Sequence, residues 1–319
     1  TGPMNLSMTY AANGNILTKS DINATTMFTY GAGAGPYALT KVTSSTGVIP
    51  AISQSATYTS FEKVNSLSEG AYAATLTYNS DNQRAKMMVT QGGSTILTRW
   101  YVSSSYLKQT EGSVTKEFTW IGGNAYTAPV LAITQSGITT YYYLLRDHLG
   151  SITHVTDASG NVLNEYSYDA WGRRRNFSNW GYSVASQTDI LPDCGFTGHE
   201  YLKYFNLYNM NGRLYDPLIA RFLNVDPYVQ MPDYSQNLNR YSYCLNNPLK
   251  YTDPDGELAF LVIAAYFVAN AAIDYGIQVA MNYAQGYKGK DAWVNKVDFF
   301  DVAVSGGIGA LTGGASTAY

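Results

Sequence analysis

Charge is scarce in this chain. Of its 319 residues 13% are charged, with 20 Lys and Arg set against 23 Asp and Glu for a net charge of -3. A balance so close to neutral carries no electrostatic footprint for nucleic acid. Cysteine is nearly absent: Cys194 and Cys244 are too few for a disulfide framework and leave only a single bridge open. The three histidines, His148, His154 and His199, have no metal-ligand spacing and no partner in an H-x-x-x-C pattern, so neither a metal nor another cofactor is expected. Phosphate-cradling glycine loops and the G-x-S-x-G elbow are missing as well. So are long apolar runs. The longest, 258–269, stops at Asn270 and falls short of the 18 or more residues of a bilayer span. No basic stretch followed by an apolar one opens the chain, so no secretory signal is read there. The opening TGPMNLSMTY and the closing GGASTAY have the texture of mid-protein sequence, and the chain is expected to be part of something longer.

What is abundant is tyrosine. There are 29, as many as the glycines and well above the 11 phenylalanines. Tyrosine favours strands and buries its ring while its hydroxyl seeks a partner. With 45% hydrophobic residues the chain is long enough for a sizeable core, as one large domain or two to three smaller ones.

Short strands ending on tyrosine recur from the start: 6–10, 25–30 and 74–78. Each runs into a turn signal, Asn13-Gly14, Gly31-Ala32-Gly33 and Asn79-Ser80-Asp81-Asn82, and a second strand follows at 16–18 or 85–89. Alternating runs around such turns are hairpins. Tyr10 to Tyr30 and Tyr58 to Tyr78 are equal intervals of 20 residues, which suggests a degenerate repeat of about one hairpin per unit. Better copies follow between 115 and 175, among them Asp147-His148-Leu149-Gly150-Ser151 and Tyr166-Ser167-Tyr168-Asp169-Ala170-Trp171-Gly172-Arg173. Dyad alternation puts Tyr166 and Tyr168 on one face and Ser167 on the other, and Trp171 is expected to pack rather than to bind. Asp157, Gly160 and Asn161 match a fragment of a calcium loop but lack its downstream ligands. Residues 176–192 read as a loop. After 257 the texture turns Ala-rich, so a packed or interfacial helix is expected over 258–284, with membrane contact of 258–273 as the minor alternative.

Three Asp-Pro pairs, Asp216-Pro217, Asp226-Pro227 and Asp253-Pro254, divide the stretch 196–256 into short elements, because proline pushes the residue before it out of the helical region. The stretch begins with Gly195-Phe196-Thr197-Gly198-His199-Glu200 and continues with R-x-Y-D-P-x-x-x-R-F at 213–222. N-x-Y-x-Y-x-x-N-N-P follows at 239–248 and D-P-x-G at 253–256. In order and spacing this resembles the core domain of bacterial RHS-repeat (YD-repeat) proteins, and 143–173 resembles the repeat-bearing segment before it. Two departures stand out. Asn206-Leu207-Tyr208-Asn209-Met210-Asn211-Gly212-Arg213 replaces a G-L-Y-Y-x-R-A-R pattern, and Glu257 stands where the family usually has Leu.

The resemblance implies a mostly β fold: YD-repeat hairpins over 1–138 curling into a cocoon-like shell, closed by a core domain over 139–256. A variable, Ala- and Gly-rich C-terminal region would begin at 257–319. It implies a scaffold that encloses and delivers that region, often a toxin, and at most a single-turnover aspartyl autoprotease. Arg213 and Asp226 match the residues thought to cut the chain and Asp253 is the further partner, with the cut at Gly256, Glu257 or Leu258. Implied partners are the chain's own C-terminal region, secretion machinery and an immunity protein, in a bacterial protein that is secreted or held at the cell envelope. Taken alone, each Asp-Pro is a turn device. A cell-surface adhesion or carbohydrate-binding YD-repeat protein without catalysis is the alternative, and an inert, truncated copy a third.

Overall fold

The computed structural model describes residues 6–22, 27–31, 35–43, 54–184, 190–227, 229, 233, 235–256, 275, 278, 279 and 281–299. Hairpin follows hairpin throughout. Strands β1 (Met8–Tyr10) and β2 (Ile16–Lys19) form one pair, β3 (Met27–Tyr30) and β4 (Leu39–Thr43) a second. Eleven strands then build a single antiparallel wall in sequence order: β5 (Gln54–Tyr58), β6 (Val64–Glu69), β7 (Tyr72–Tyr78), β8 (Arg84–Gln91), β9 (Ser94–Ser103), β10 (Tyr106–Glu111), β11 (Val114–Ile121), β12 (Val130–Gln135), β13 (Ile138–Arg146), β14 (Ile152–Thr156) and β15 (Val162–Glu165). The hairpin β12–β13 runs through residue 138, so the wall is continuous across the sequence boundary expected there. A short pair, β16 (Ser167–Tyr168) and β17 (Arg174–Arg175), leads to a four-stranded sheet of β18 (Glu200–Leu202), β19 (Leu207–Asn209), β20 (Leu214–Asp216) and β21 (Arg221–Phe222).

Two local devices explain why the repeat folds this way. In the turns, one side-chain oxygen closes the loop by accepting two backbone N–H groups, two and four residues on. Asn79 does this for Asp81 and Gln83, Asp147 for Leu149 and Ser151, Asp157 for Ser159 and Asn161, and Asp169 for Trp171 and Arg173. Asp157 thus spends its carboxylate on a turn, and no metal-ligand cluster occurs among the described residues. At the strand ends, tyrosine hydroxyls tie one hairpin to the strand before it: Tyr30 donates to the Ile16 carbonyl at 2.8 Å and Tyr78 to that of Val64 at 2.6 Å, each reaching back 14 residues. The 20-residue repeat therefore has a physical basis in its tyrosines.

One face of the wall is apolar. Leu67, Leu76, Met87, Val89 and Leu97 pack against Leu202, Phe205, Leu207 and Leu214 of the four-stranded sheet. Further along, Phe118, Trp120, Leu131, Leu144 and Val155 cover Tyr166 and Leu191. A third cluster joins the first hairpins to the sheet, with Ile16 and Phe28 against Trp171, Phe196, Tyr208, Tyr215 and Tyr243. Trp171 is buried there, and its carbonyl accepts the Tyr215 hydroxyl at 2.8 Å. Burial of this face is what holds a long meander against a small sheet.

A buried ionic clasp reinforces the contact. Glu200 of β18 takes hydrogen bonds from Arg84 of β8, from Arg99 of β9 and, at 2.6 Å, from the Tyr101 hydroxyl. Burial pushes the Glu200 carboxyl up, but the two guanidiniums outweigh it and hold it below its ordinary range.

Cys194 and Cys244 are both free, so the single bridge left open by the sequence is not made. Residues 281–284 are helical and Asp291–Asn295 forms a π-helical turn. The run 258–273 lies outside the described residues, and among those described no helix is long and apolar enough to cross a membrane.

Candidate active site around Arg213

The tight turn between β19 and β20 sets the site. Asn209 accepts the Asn211 backbone N–H through its side chain at 3.0 Å, and Asn211 adopts a left-handed φ of 65°. The turn sends Arg213 inward at the foot of β20, where its guanidinium lies 3.6 Å over the Phe222 ring. Only 3% of Arg213 is exposed. A buried guanidinium needs its donors satisfied. Nη1 lies 3.2 Å from Asp226 Oδ2 and donates to the Arg240 carbonyl, Nη2 donates to Asp253 Oδ2 at 3.0 Å, and Nε donates to the Gly256 carbonyl. Asp226 is itself pinned by an exchange of backbone and side-chain bonds with Arg240, each 3.0 Å. Asp226 and Asp253 are 6% and 0% exposed.

Residues 253–256 are held like a bound strand. The Asp253 carbonyl accepts from His199 Nε2 at 2.8 Å, that of Pro254 from Asn211 Nδ2 at 3.4 Å, that of Asp255 from the Gly212 N–H at 2.8 Å, and that of Gly256 from Arg213. Four successive carbonyls thus meet four donors, three of them from consecutive residues. Gly256 is required where it stands: its φ is +73°, and a Cβ would collide with the Met210 carbonyl oxygen. Because its partner is a carbonyl, His199 carries its proton on Nε2, leaving Nδ1 to face the Tyr126 hydroxyl at 3.2 Å. Burial pulls the His199 pKa down to about 4, so the ring is neutral at pH 7. Burial, with Asp253 nearby, keeps the Cys244 thiol well above its ordinary range, which leaves it no nucleophile.

Of the residues singled out in the sequence, Arg213, Asp226, Asp253 and Gly256 therefore meet at one point. Glu257 and Leu258 lie outside the described residues. Asp216 stands apart and serves a turn, accepting the Leu218 and Ile219 N–H groups at 2.8 and 3.3 Å. His148 touches the Leu249 carbonyl, and His154 lies 3.5 Å from Glu165 at the surface. Sequence reasoning missed Asn211, Tyr126 and Arg84. Asn211-Gly212 was visible only as a departure from the resembled pattern, and nothing in the local sequence marks the two wall residues.

Fold and site together define an antiparallel hairpin wall closed on a small sheet with a buried charged knot. Residues 127–249 match the family model of the Teneurin YD-shell. The chain is 29% identical over 199 residues to the tRNA3(Ser)-specific nuclease WapA of Bacillus spizizenii, covering 60% of this chain and 8% of that protein. It is 33% identical over 182 residues to Salivary gland surface protein 1 of Aedes aegypti, covering 56% of this chain and 5% of that one. Among solved structures, the Photorhabdus luminescens Tc holotoxin pore superposes with a TM-score of 0.61 at 19% identity, over 80% of this chain and 13% of that one. The chain thus spans less than a tenth of either curated relative. Residues 127–249 are thus a YD-shell segment, and the fold is that of the RHS (YD-repeat) shells.

Proposed function

We propose that this chain is part of a secreted bacterial shell that encloses a toxin-like C-terminal region, and that it cuts itself once after Gly256. The observation that carries the cut is the Arg213 fork. One guanidinium holds two buried carboxylates and the carbonyl of Gly256, the residue at which the resembled element ends. In the reaction one carboxylate takes a proton from water, and the hydroxide adds to the Gly256 carbonyl carbon. The oxyanion that develops on the carbonyl oxygen is already hydrogen-bonded by Arg213 Nε. The other carboxyl, which enters the reaction protonated, delivers its proton to the Glu257 nitrogen as the Gly256–Glu257 bond breaks, leaving a free amine on Glu257 and a carboxylic acid on Gly256 that ionises into solvent. The pair ends with the one proton it began with, now on the opposite carboxyl, but the chain has one such bond and turns over once.

The enclosing role is supported by the wall, whose apolar face is spent on the core sheet, and by the nuclease named in the Bacillus relative. Secretion machinery and an immunity protein follow as partners if the tail is toxic. The adhesion reading draws on the mosquito surface protein. Intact-mass spectrometry of the purified full-length protein separates the two: a product ending at Gly256 supports self-cleavage, and a properly folded protein that stays uncut overturns it in favour of adhesion.

A further inference from the structure

The segment 253–256 is held by the core, but its holders are held by the wall. Asn211 donates to the Pro254 carbonyl with the same Nδ2 that donates to the Tyr126 hydroxyl at 2.7 Å, while its Oδ1 accepts from Arg84 Nη2 at 2.8 Å. The Arg84 bond fixes which end of the Asn211 amide faces the Pro254 carbonyl. Tyr126 touches the second holder too: its hydroxyl lies 3.2 Å from His199 Nδ1, and the two rings meet edge-on with centroids 5.1 Å apart.

Tyr126 is placed with care. It sits in the turn between β11 and β12, where Asn124 accepts its N–H at 2.9 Å and Arg146 donates to the preceding carbonyl, that of Ala125, at 2.8 Å. Its ring lies where a Cβ on Gly198 would be, 2.8 Å away, so only glycine lets the turn come so close to His199. Arg84 stands on a different strand, β8, so two separate parts of the wall converge on Asn211. A cavity of about 640 Å³ opens beside them, lined by Arg84, Tyr101, Tyr126, Asn211 and Asp255.

We propose that Tyr126 and Arg84 are positioning residues for self-cleavage: through Asn211 and His199 they set the segment 253–256 over Arg213, so that the cut waits for the wall to close on the core. This rests on the self-cleavage reading above. A core without its wall keeps Arg213 and its carboxylates but loses the bonds that fix the Asn211 amide and the His199 ring. The scissile carbonyl then samples positions away from Arg213, and small displacements of a reacting group carry a large rate cost.

The test measures the cut in full-length protein, by intact mass over time after refolding. Tyr126→Phe keeps the ring on Gly198 and removes only the hydroxyl. Arg84→Lys keeps a cation but cannot serve Glu200 and Asn211 together. Both are expected to slow the cut by roughly tenfold or more, the equivalent of a lost hydrogen bond, with the product mass unchanged. For Tyr126→Phe the melting temperature should fall by only a few degrees, the cost of about one hydrogen bond. Tyr204→Phe is the control for plain docking: it deletes a core-to-wall hydroxyl bond of the same kind, to Glu111 at 2.9 Å, that touches neither Arg84, Asn211 nor His199. It should cut at the wild-type rate. Wild-type cutting rates in Tyr126→Phe and Arg84→Lys would overturn the proposal and leave self-cleavage standing. Equal slowing in Tyr204→Phe would reduce the effect to docking and overturn it too. A wild-type protein that never cuts would remove the self-cleavage reading, and this proposal with it.

Discussion

Arg213 Nη2 lies 3.0 Å from Oδ2 of Asp253, forty residues along the chain, and both side chains are buried. On the other nitrogen of the same fork, Asp226 Oδ2 lies 3.2 Å away. A bidentate site of this kind is sensitive to charge as well as shape. Asp226→Asn keeps the size of the side chain and one acceptor oxygen but cannot ionise. It is expected to abolish the cut in full-length protein while the circular dichroism spectrum stays that of the wild type. Asp216→Asn, at an Asp-Pro that serves only a turn, keeps the oxygen its turn uses and should cut normally. Equal loss in both variants would mean that general weakening of the core, not the carboxylate, is responsible.

The Glu200 clasp should matter more to stability than any surface ion pair. Removing one partner of a buried pair leaves the others charged and unpaired, at a cost of about 3–5 kcal/mol. Glu200→Ala leaves Arg84 without a carboxylate and Arg99 with Asp193 alone, and should lose that much in urea unfolding. Glu165→Ala breaks a half-exposed contact with His154, and such contacts contribute about 0–1 kcal/mol. Near-equal losses would show that the clasp is solvated in solution.

Much of the fold could be read from particular residues. Asn79, Asp147, Asp157 and Asp169 announce turns because their side chains close them locally, and tyrosines at fixed intervals mark strand ends for the same local reason. Arg213, Asp226 and Asp253 were legible only through a resembled motif, since nothing local tells a carboxylate bound to a distant arginine from one that caps a turn, as Asp216 does. Tyr126 and Arg84 left no trace. Their partners Asn211 and His199 lie between 73 and 127 residues away, and such contacts are set by how the wall docks, not by the neighbouring sequence. His199 lies between these cases: a histidine just after Gly195 and Gly198 is placed where backbone can come close, and the structure gives it the Asp253 carbonyl.

Trp171 was expected to pack rather than to bind, and it lies 3% exposed among Tyr215, Phe196 and Tyr208. Truncating a buried aromatic leaves a cavity that a sheet of tyrosines cannot fill, at a cost of about 3–5 kcal/mol. Trp171→Ala should therefore lower stability by that amount in chemical unfolding. A variant that kept its melting temperature but lost binding to a ligand would reverse the assignment.

His199 makes stability depend on pH, and the sign follows from its burial. Its pKa is near 6.5 when unfolded and about 4 when folded, so between those values the unfolded chain binds the extra proton. The stability this contributes is complete above about pH 6.5, falls as the pH drops, and is gone once the pH passes below about 4. From pH 7 to pH 5 the loss amounts to about 2 kcal/mol, at 1.36 kcal/mol per pH unit below the unfolded pKa. His199→Gln retains an N–H donor for the Asp253 carbonyl and does not titrate, so its unfolding free energy should lack this component. Carboxylates also titrate below pH 5, and the quantity to read is therefore the difference between wild type and variant in urea melts at the two pH values. A difference that stays constant from pH 7 to pH 5 would mean that His199 is as free to protonate in the folded protein as in the unfolded one, and that the buried His199–Asp253 bond does not persist in solution.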